Sequence, residues 1–195
     1  MVGVTRVIII TGTPGVGKTA SAKALTSRLN ATYVGINELV IDENLVAELD
    51  EDRGTVVADM ARLSERVDEL LDHADRDQVI DGHYAHDVVR TGRATHVFVL
   101  RRHPDELRTI LANRGYNEDK IHENVNSEIL DVCLTEAIAR HDVERVDEID
   151  TSSVTIEETI ESMLSVLDGG KKPAIGKVDW LGQLEEAGRL DEYLR

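Results

Sequence analysis

Near the start of the chain, Gly12-Thr13-Pro14-Gly15-Val16-Gly17-Lys18-Thr19 fills every fixed position of the pattern G-x-x-x-x-G-K-[ST]. Glycines admit positive φ and let a backbone approach a ligand closely. Successive N–H groups then converge on an anion, and the first turn of a following helix adds its unpaired N–H groups and positive dipole end. Lys18 has the reach for β- and γ-phosphates, and the Thr19 hydroxyl suits Mg²⁺. The residues expected to line a purine nucleoside triphosphate are Gly12, Gly15, Val16, Gly17, Lys18, Thr19 and Ala20. A second group is Val79-Ile80-Asp81-Gly82-His83. An apolar run ending in Asp sets a carboxylate at a strand end, where it can hold the water shell of Mg²⁺ beside a phosphate loop. Asp81 is the metal candidate, and His83 or His86 could orient a water or shuttle a proton. The plain alternative is an Asp-Gly turn with two solvated histidines. Neither histidine has Cys or His partners at zinc spacing. Arg114, in Arg114-Gly115-Tyr116-Asn117, interrupts a helical stretch. On a small flap it would neutralise charge on a transferring phosphoryl group; otherwise it is a surface Arg before a helix-ending glycine.

The elements that must position these groups follow from pattern. Val7 to Ile10 is a short β-branched run, as in a strand buried on both faces, and Ala20 to Leu25 is helix-forming. Ala31 to Val34 reads as the second strand, with Asn37 as N-cap of a following helix. Residues 42–52 are acidic and read as solvent-facing, and 50–55 as a turn. Val57, Met60, Leu63, Val67 and Leu70 recur at helical steps. Further strands are expected at Gln78 to Asp81, His96 to Leu100 and Arg145 to Asp150. A helix begins near Asp105, and a long one runs from about Asp119 to Asp142. Ile156 to Leu167 is the last amphipathic helix of the domain. Gly169 to Pro173 reads as a linker and the rest, to residue 195, as an acidic tail carrying the single Trp. The expected fold is an α/β, three-layer P-loop NTPase domain with a parallel sheet over residues 1–168.

Composition narrows the setting. The 195 residues suffice for one such domain, and a 41% hydrophobic content marks a globular chain. No stretch has the length of an apolar membrane span, and the first strand begins too early to leave room for a signal peptide. The single Cys133, among apolar neighbours, is expected to be buried. A cytoplasmic location is the expectation. The net charge is −16, with 38 acidic residues, 22 basic ones and few lysines. Such a surface fits high internal salt or a basic partner, and argues against general attraction to nucleic acid.

The order of P-loop, Asp81-Gly82-His83, Val99-Leu100-Arg101 and Arg114-Gly115-Tyr116-Asn117 resembles the atypical adenylate kinase family of archaea and eukaryotes. That family includes the human coilin-interacting nuclear ATPase and is linked to small ribosomal subunit maturation. Asp50-Glu51-Asp52-Arg53, Glu123-Asn124 and Ser127-Glu128-Ile129 add to the resemblance, which spans about residues 6 to 168. It implies a nucleoside-monophosphate-kinase-like fold with a short lid. It implies transfer of the ATP γ-phosphate to AMP, an ATPase activity, and Mg²⁺ as cofactor. It also implies binding to the eleventh small-subunit ribosomal protein. By matching positions, the AMP segment is about Gly35 to Ala58 and the lid about Asn113 to Glu123. Lys18, His83 and Arg114 are then catalytic, with Arg114 contacting ATP. Two departures stand out. Gly82 separates Asp81 and His83 where the family often has a larger residue, and Gly35 to Leu49 contains no Arg or Lys. Arg53 and Arg101 are the remaining candidates for the acceptor phosphate. An ATP-driven assembly factor, or a kinase for another nucleoside monophosphate, are the alternatives.

Overall fold

A computed structural model describes residues 5–50 and 55–194. Five strands form a parallel sheet: β1 (Val7–Gly12), β2 (Thr32–Gly35), β5 (Gln78–Asp81), β6 (His96–Arg101) and β7 (Val146–Asp150), in the order β2-β5-β1-β6-β7. Alternate side chains of β1 enter opposite layers. Ile8 and Ile10 pack with Leu25, Leu107 and Met163, while Val7 and Ile9 pack with Leu63, Val67 and Ala137. The sheet is therefore covered on both faces, which is why its strands read as continuous apolar runs. Helices α1 (Lys18–Leu29), α5 (Pro104–Asn113), α6 (Glu118–Ile129) and α8 (Ile156–Leu167) pack in the first layer; α3 (Met60–Asp72) and α7 (Val132–Arg140) pack in the second. The three-layer parallel architecture is as expected.

Register sets the functional edge. Ile10 is level with Asp81, Gly35 is level with Asp81, and Gly12 is level with Leu100. The loop after β1, the carboxylate after β5 and the segment after β2 thus leave the sheet at one end, the carboxyl end where open α/β sheets bind ligands.

Local differences from the sequence reading have identifiable causes. Asn37 lies inside α2 (Ile36–Asp42), and the N-cap is Gly35 in an extended conformation. Val57 belongs not to a helix but to β4 (Thr55–Ala58), which pairs antiparallel with β3 (Val46–Asp50). The turn expected over 50–55 lies mostly outside the described residues, as does Arg53. The long helix is two helices, because Asp131 between them is left-handed at φ 56 and its carboxylate turns to the Arg101 guanidinium.

The segment read as linker and tail is woven into the domain. Ala174 O accepts from Glu148 N at 3.0 Å, so the strap runs along the outer edge of β7 and shields it. Lys177 Nζ pairs with Asp147 at 2.5 Å. Trp180 and Leu184 of α9 (Trp180–Glu186), with Val178 and Tyr193, join the first core layer. Arg189 holds Asp105 at the start of α5 through two bonds of 2.9 and 3.0 Å. Deleting residues 170–195 is expected to destabilise the domain by more than the roughly 3–5 kcal/mol of a single buried aromatic truncation. A lowered guanidinium midpoint would show it, and an unchanged midpoint would contradict it.

Candidate functional site

The phosphate loop is fixed by close packing as well as by its glycines. Gly12 has φ 137, and a Cβ there would collide with the carbonyl oxygen of Leu100 on β6. Gly17 caps α1 with φ 104, so Lys18 and Thr19 are the first helical residues. Val16 is buried beneath the loop, while Thr19 and Ala20 face solvent. Lys18 Nζ donates to the carbonyls of Gly12 at 2.8 Å and Thr13 at 3.0 Å. Those carbonyls hold the ammonium folded against the loop, from where it can swing to a phosphate. Burial lowers the Lys18 pKa, offset mainly by the facing Asp81; nearby Arg114 lowers it further. Arg114 sits on the exposed turn between α5 and α6 and faces the same loop electrostatically.

Asp81 ends β5 with only 5% exposure. Its Oδ2 accepts from the Tyr33 hydroxyl at 3.1 Å, and its Oδ1 is buried without a hydrogen-bond partner. A buried acceptor left open costs free energy. An unpaired carboxylate oxygen is the donor type that hydrated Mg²⁺ takes. Gly82 is required here for space, because a Cβ would stand 2.7 Å from the Ile36 Cβ. The unusual Asp81-Gly82-His83 order thus follows from α2 packing against the β5 end.

His83 and His86 are not solvated loop residues. His83 is half-buried, with Nδ1 3.2 Å from the Gly12 carbonyl and 3.7 Å from Cys133 Sγ. A bond to a carbonyl assigns the proton to Nδ1 and leaves Nε2 as an acceptor. Burial, and then the Lys18 charge, lower its pKa, so the ring is neutral at pH 7. His86 is buried between Thr11 Oγ1 at 2.8 Å and Glu136 Oε2 at 3.3 Å. It braces the β1 end rather than facing the loop opening. Cys133 is buried as expected, and burial raises its thiol to about 11, which makes it inert as a nucleophile.

Arg101 is not available to an acceptor phosphate. It is 1% exposed and pairs with Glu128 at 2.8 Å, with Glu148 at 2.6 Å and with Asp131. Glu128 has a role that nothing in the sequence signals. Its Oε2 accepts from the Thr13 hydroxyl of the phosphate loop at 2.5 Å. A groove of about 480 Å³ runs along the outer edge of β2, lined by Tyr33, Glu38, Leu39, Arg66, Leu70 and His73. It includes part of the segment from Gly35 onward, and its Arg66 is tied to Glu43 and Glu69.

Burial lowers His83, His96 and His141 alike. Each is neutral when folded at a pH where the unfolded chain is already protonating. Between their folded pKa values and 6.5, the unfolded state binds more protons, so stability rises with pH. The urea midpoint is expected to fall as pH drops from 6.5 toward the folded values, the histidine contribution levelling off below them, and His83→Gln to make that fall shallower. A midpoint that does not change from about pH 7.5 to 5 would contradict this.

With this geometry in view, comparisons with known proteins are informative. Residues 8–131 match the family described as AAA domain. A Pyrococcus furiosus protein named "Putative adenylate kinase" is 38% identical over 194 residues, 97% of each chain. One of the same name from Natronomonas pharaonis is 39% identical over 177 residues, 91% of this chain and 99% of that one. Among solved structures, a shikimate kinase from Acinetobacter baumannii in complex with shikimate superposes with a TM-score of 0.62 at 16% identity, covering 86% of this chain and 95% of that one. At that identity the likeness shows the fold alone.

Proposed function

This chain belongs to the AAA-domain family and stands among archaeal relatives that carry the adenylate kinase name, and we propose on that premise that it transfers the γ-phosphate of ATP to AMP, forming two ADP. One observation carries the reading. Phosphate loop, unpaired carboxylate and acceptor segment leave the sheet at a single end, through Gly12, Asp81 and Gly35. Phosphoryl transfer between phosphate oxygens needs no general base. It needs alignment and cancellation of charge.

The roles follow from position. The loop amides and the α1 terminus hold the ATP phosphates, and Lys18 leaves the Gly12 and Thr13 carbonyls to bind them. Thr19 and the unpaired Oδ1 of Asp81 would hold Mg²⁺ and its waters. Bound there, Mg²⁺ would supply positive charge against the phosphates. Arg114, on a flap of residues 113–123, adds a second cation and excludes water as the flap closes. AMP lies against the segment from Gly35 to Ala58.

A second activity rests on His83. With its Nε2 free to accept a proton, it positions a water for slow ATP hydrolysis when no acceptor is bound. The net charge of −16 supports a basic partner, for which the eleventh small-subunit ribosomal protein and an assembly role on the small subunit are the proposal.

Purified protein at high salt with Mg-ATP is expected to form two ADP per ATP only when AMP is added; another nucleoside monophosphate should give one ADP and its own diphosphate, more slowly. ADP and free phosphate at one rate with or without AMP would leave the ATPase as the main activity. Lys18→Ala is expected to lower turnover by at least about 10²–10³-fold with an unchanged circular dichroism spectrum. Retained turnover would remove the loop from the chemistry. An ATP-sensitive pull-down of the ribosomal protein tests the partner, and its absence would refute that part.

A further inference from the structure

The four residues between the first and last glycines of the phosphate-loop pattern are free in type, yet Thr13 is 1% exposed and its hydroxyl is committed. It donates to Glu128 Oε2 at 2.5 Å. The Thr13 carbonyl is also one of the two that hold Lys18. A shift of Thr13 therefore moves the loop backbone and the lysine together. Glu128, itself 1% exposed, presents its other oxygen to three donors: Arg101 Nε at 2.8 Å, Arg102 N at 3.1 Å and the Trp180 indole N–H at 3.2 Å. Three converging donors fix the carboxylate plane, and that plane fixes where Oε2 meets Thr13.

One of the three donors comes from the C-terminal strap. Trp180 is held edge-on to His103, with ring centroids 5.1 Å apart. The strap is pinned on either side of it, by Lys177 to Asp147 and by Arg189 to Asp105. The indole is thus a fixed donor on a segment far from the loop in sequence.

We propose that Glu128 is a positioning residue for the phosphate loop, and that the strap, through Trp180, holds the Glu128 carboxylate in the orientation that fixes Thr13. This rests on the loop being the nucleotide site and is independent of the acceptor. Glu128 positions the loop through Thr13, and its charge also acts on Lys18. Losing one donor on a buried carboxylate loosens that contact, with a loss of about two- to tenfold in nucleotide affinity.

The test is a double-mutant cycle on Mg-ATP affinity, measured by calorimetry without AMP on the full chain. Trp180→Phe keeps the ring and removes the donor. Thr13→Val removes the hydroxyl, and Thr13→Ser restores it. Each of Trp180→Phe and Thr13→Val is expected to weaken binding about two- to tenfold. The double variant should bind no more weakly than Thr13→Val alone, and Thr13→Ser should bind as wild type. Trp180→Phe is also expected to raise the KM for ATP more than it lowers kcat. Additive effects, or a Trp180→Phe variant with lowered thermal stability and unchanged affinity, would overturn the positioning role while leaving the nucleotide site intact. A wild-type chain that binds no Mg-ATP would overturn both.

Discussion

The Arg101 guanidinium is buried with three carboxylates around it, from Glu128 on α6, Glu148 on β7 and Asp131 between α6 and α7. Taking one such ion out of water costs several kcal/mol, and only close pairing with saturated hydrogen bonding offsets that. Burial alone would lower the guanidinium pKa, but Glu128 and Asp131 more than reverse it and keep the charge. Carboxylates outnumber the cation, and neutral N–H groups meet the excess. Glu128 receives Arg102 N and the Trp180 indole, while Glu148 receives Lys177 N and Val178 N. Both supplementary donors to Glu148, and one to Glu128, come from the strap. The cluster is thus complete only when the end of the chain is docked.

From that cluster the order of the nucleotide edge follows. Arg101 ends β6, and the β6 carbonyl at Leu100 presses on Gly12 where the phosphate loop leaves β1. Thr13 is anchored to Glu128 one residue later. On the other side of the loop, His83 bonds the Gly12 carbonyl and Thr11 bonds the His83 carbonyl. The loop is held at its base from both sides, while Thr19 and Ala20 are left exposed. A rigid base with an open rim suits a site whose chemistry is alignment and charge cancellation.

Much of this was legible in the sequence where the constraint is local. The glycine spacing and the apolar run before it marked the loop, and the run ending in Asp81 marked the second strand end. The sheet, α5, α8 and the break at Arg114-Gly115 followed from period and composition. What escaped were contacts between residues far apart. Thr13 and Glu128 are separated by 115 positions, and nothing near either one signals the other. Arg101 is a candidate for the acceptor phosphate in the sequence, yet its partners lie 27 to 47 positions on and enclose it. In sequence the strap has the look of a tail, because its apolar residues Val178, Trp180, Leu184 and Tyr193 are sparse among charges. The Asp131 break was hidden because a left-handed Asp is chosen by its guanidinium partner, not by helix propensity. Gly82 looked like a departure from a motif and is instead the space that Ile36 occupies.

The central claim is that one edge of the sheet binds two nucleotides with their phosphates in line. The most direct test is inhibition and calorimetric binding of a bisubstrate analogue, two adenosines joined through five phosphates. One molecule should bind per chain, in competition with both ATP and AMP, and binding should be lost in Lys18→Ala. Competition with ATP alone would contradict it, by showing a phosphate loop with no acceptor site beside it.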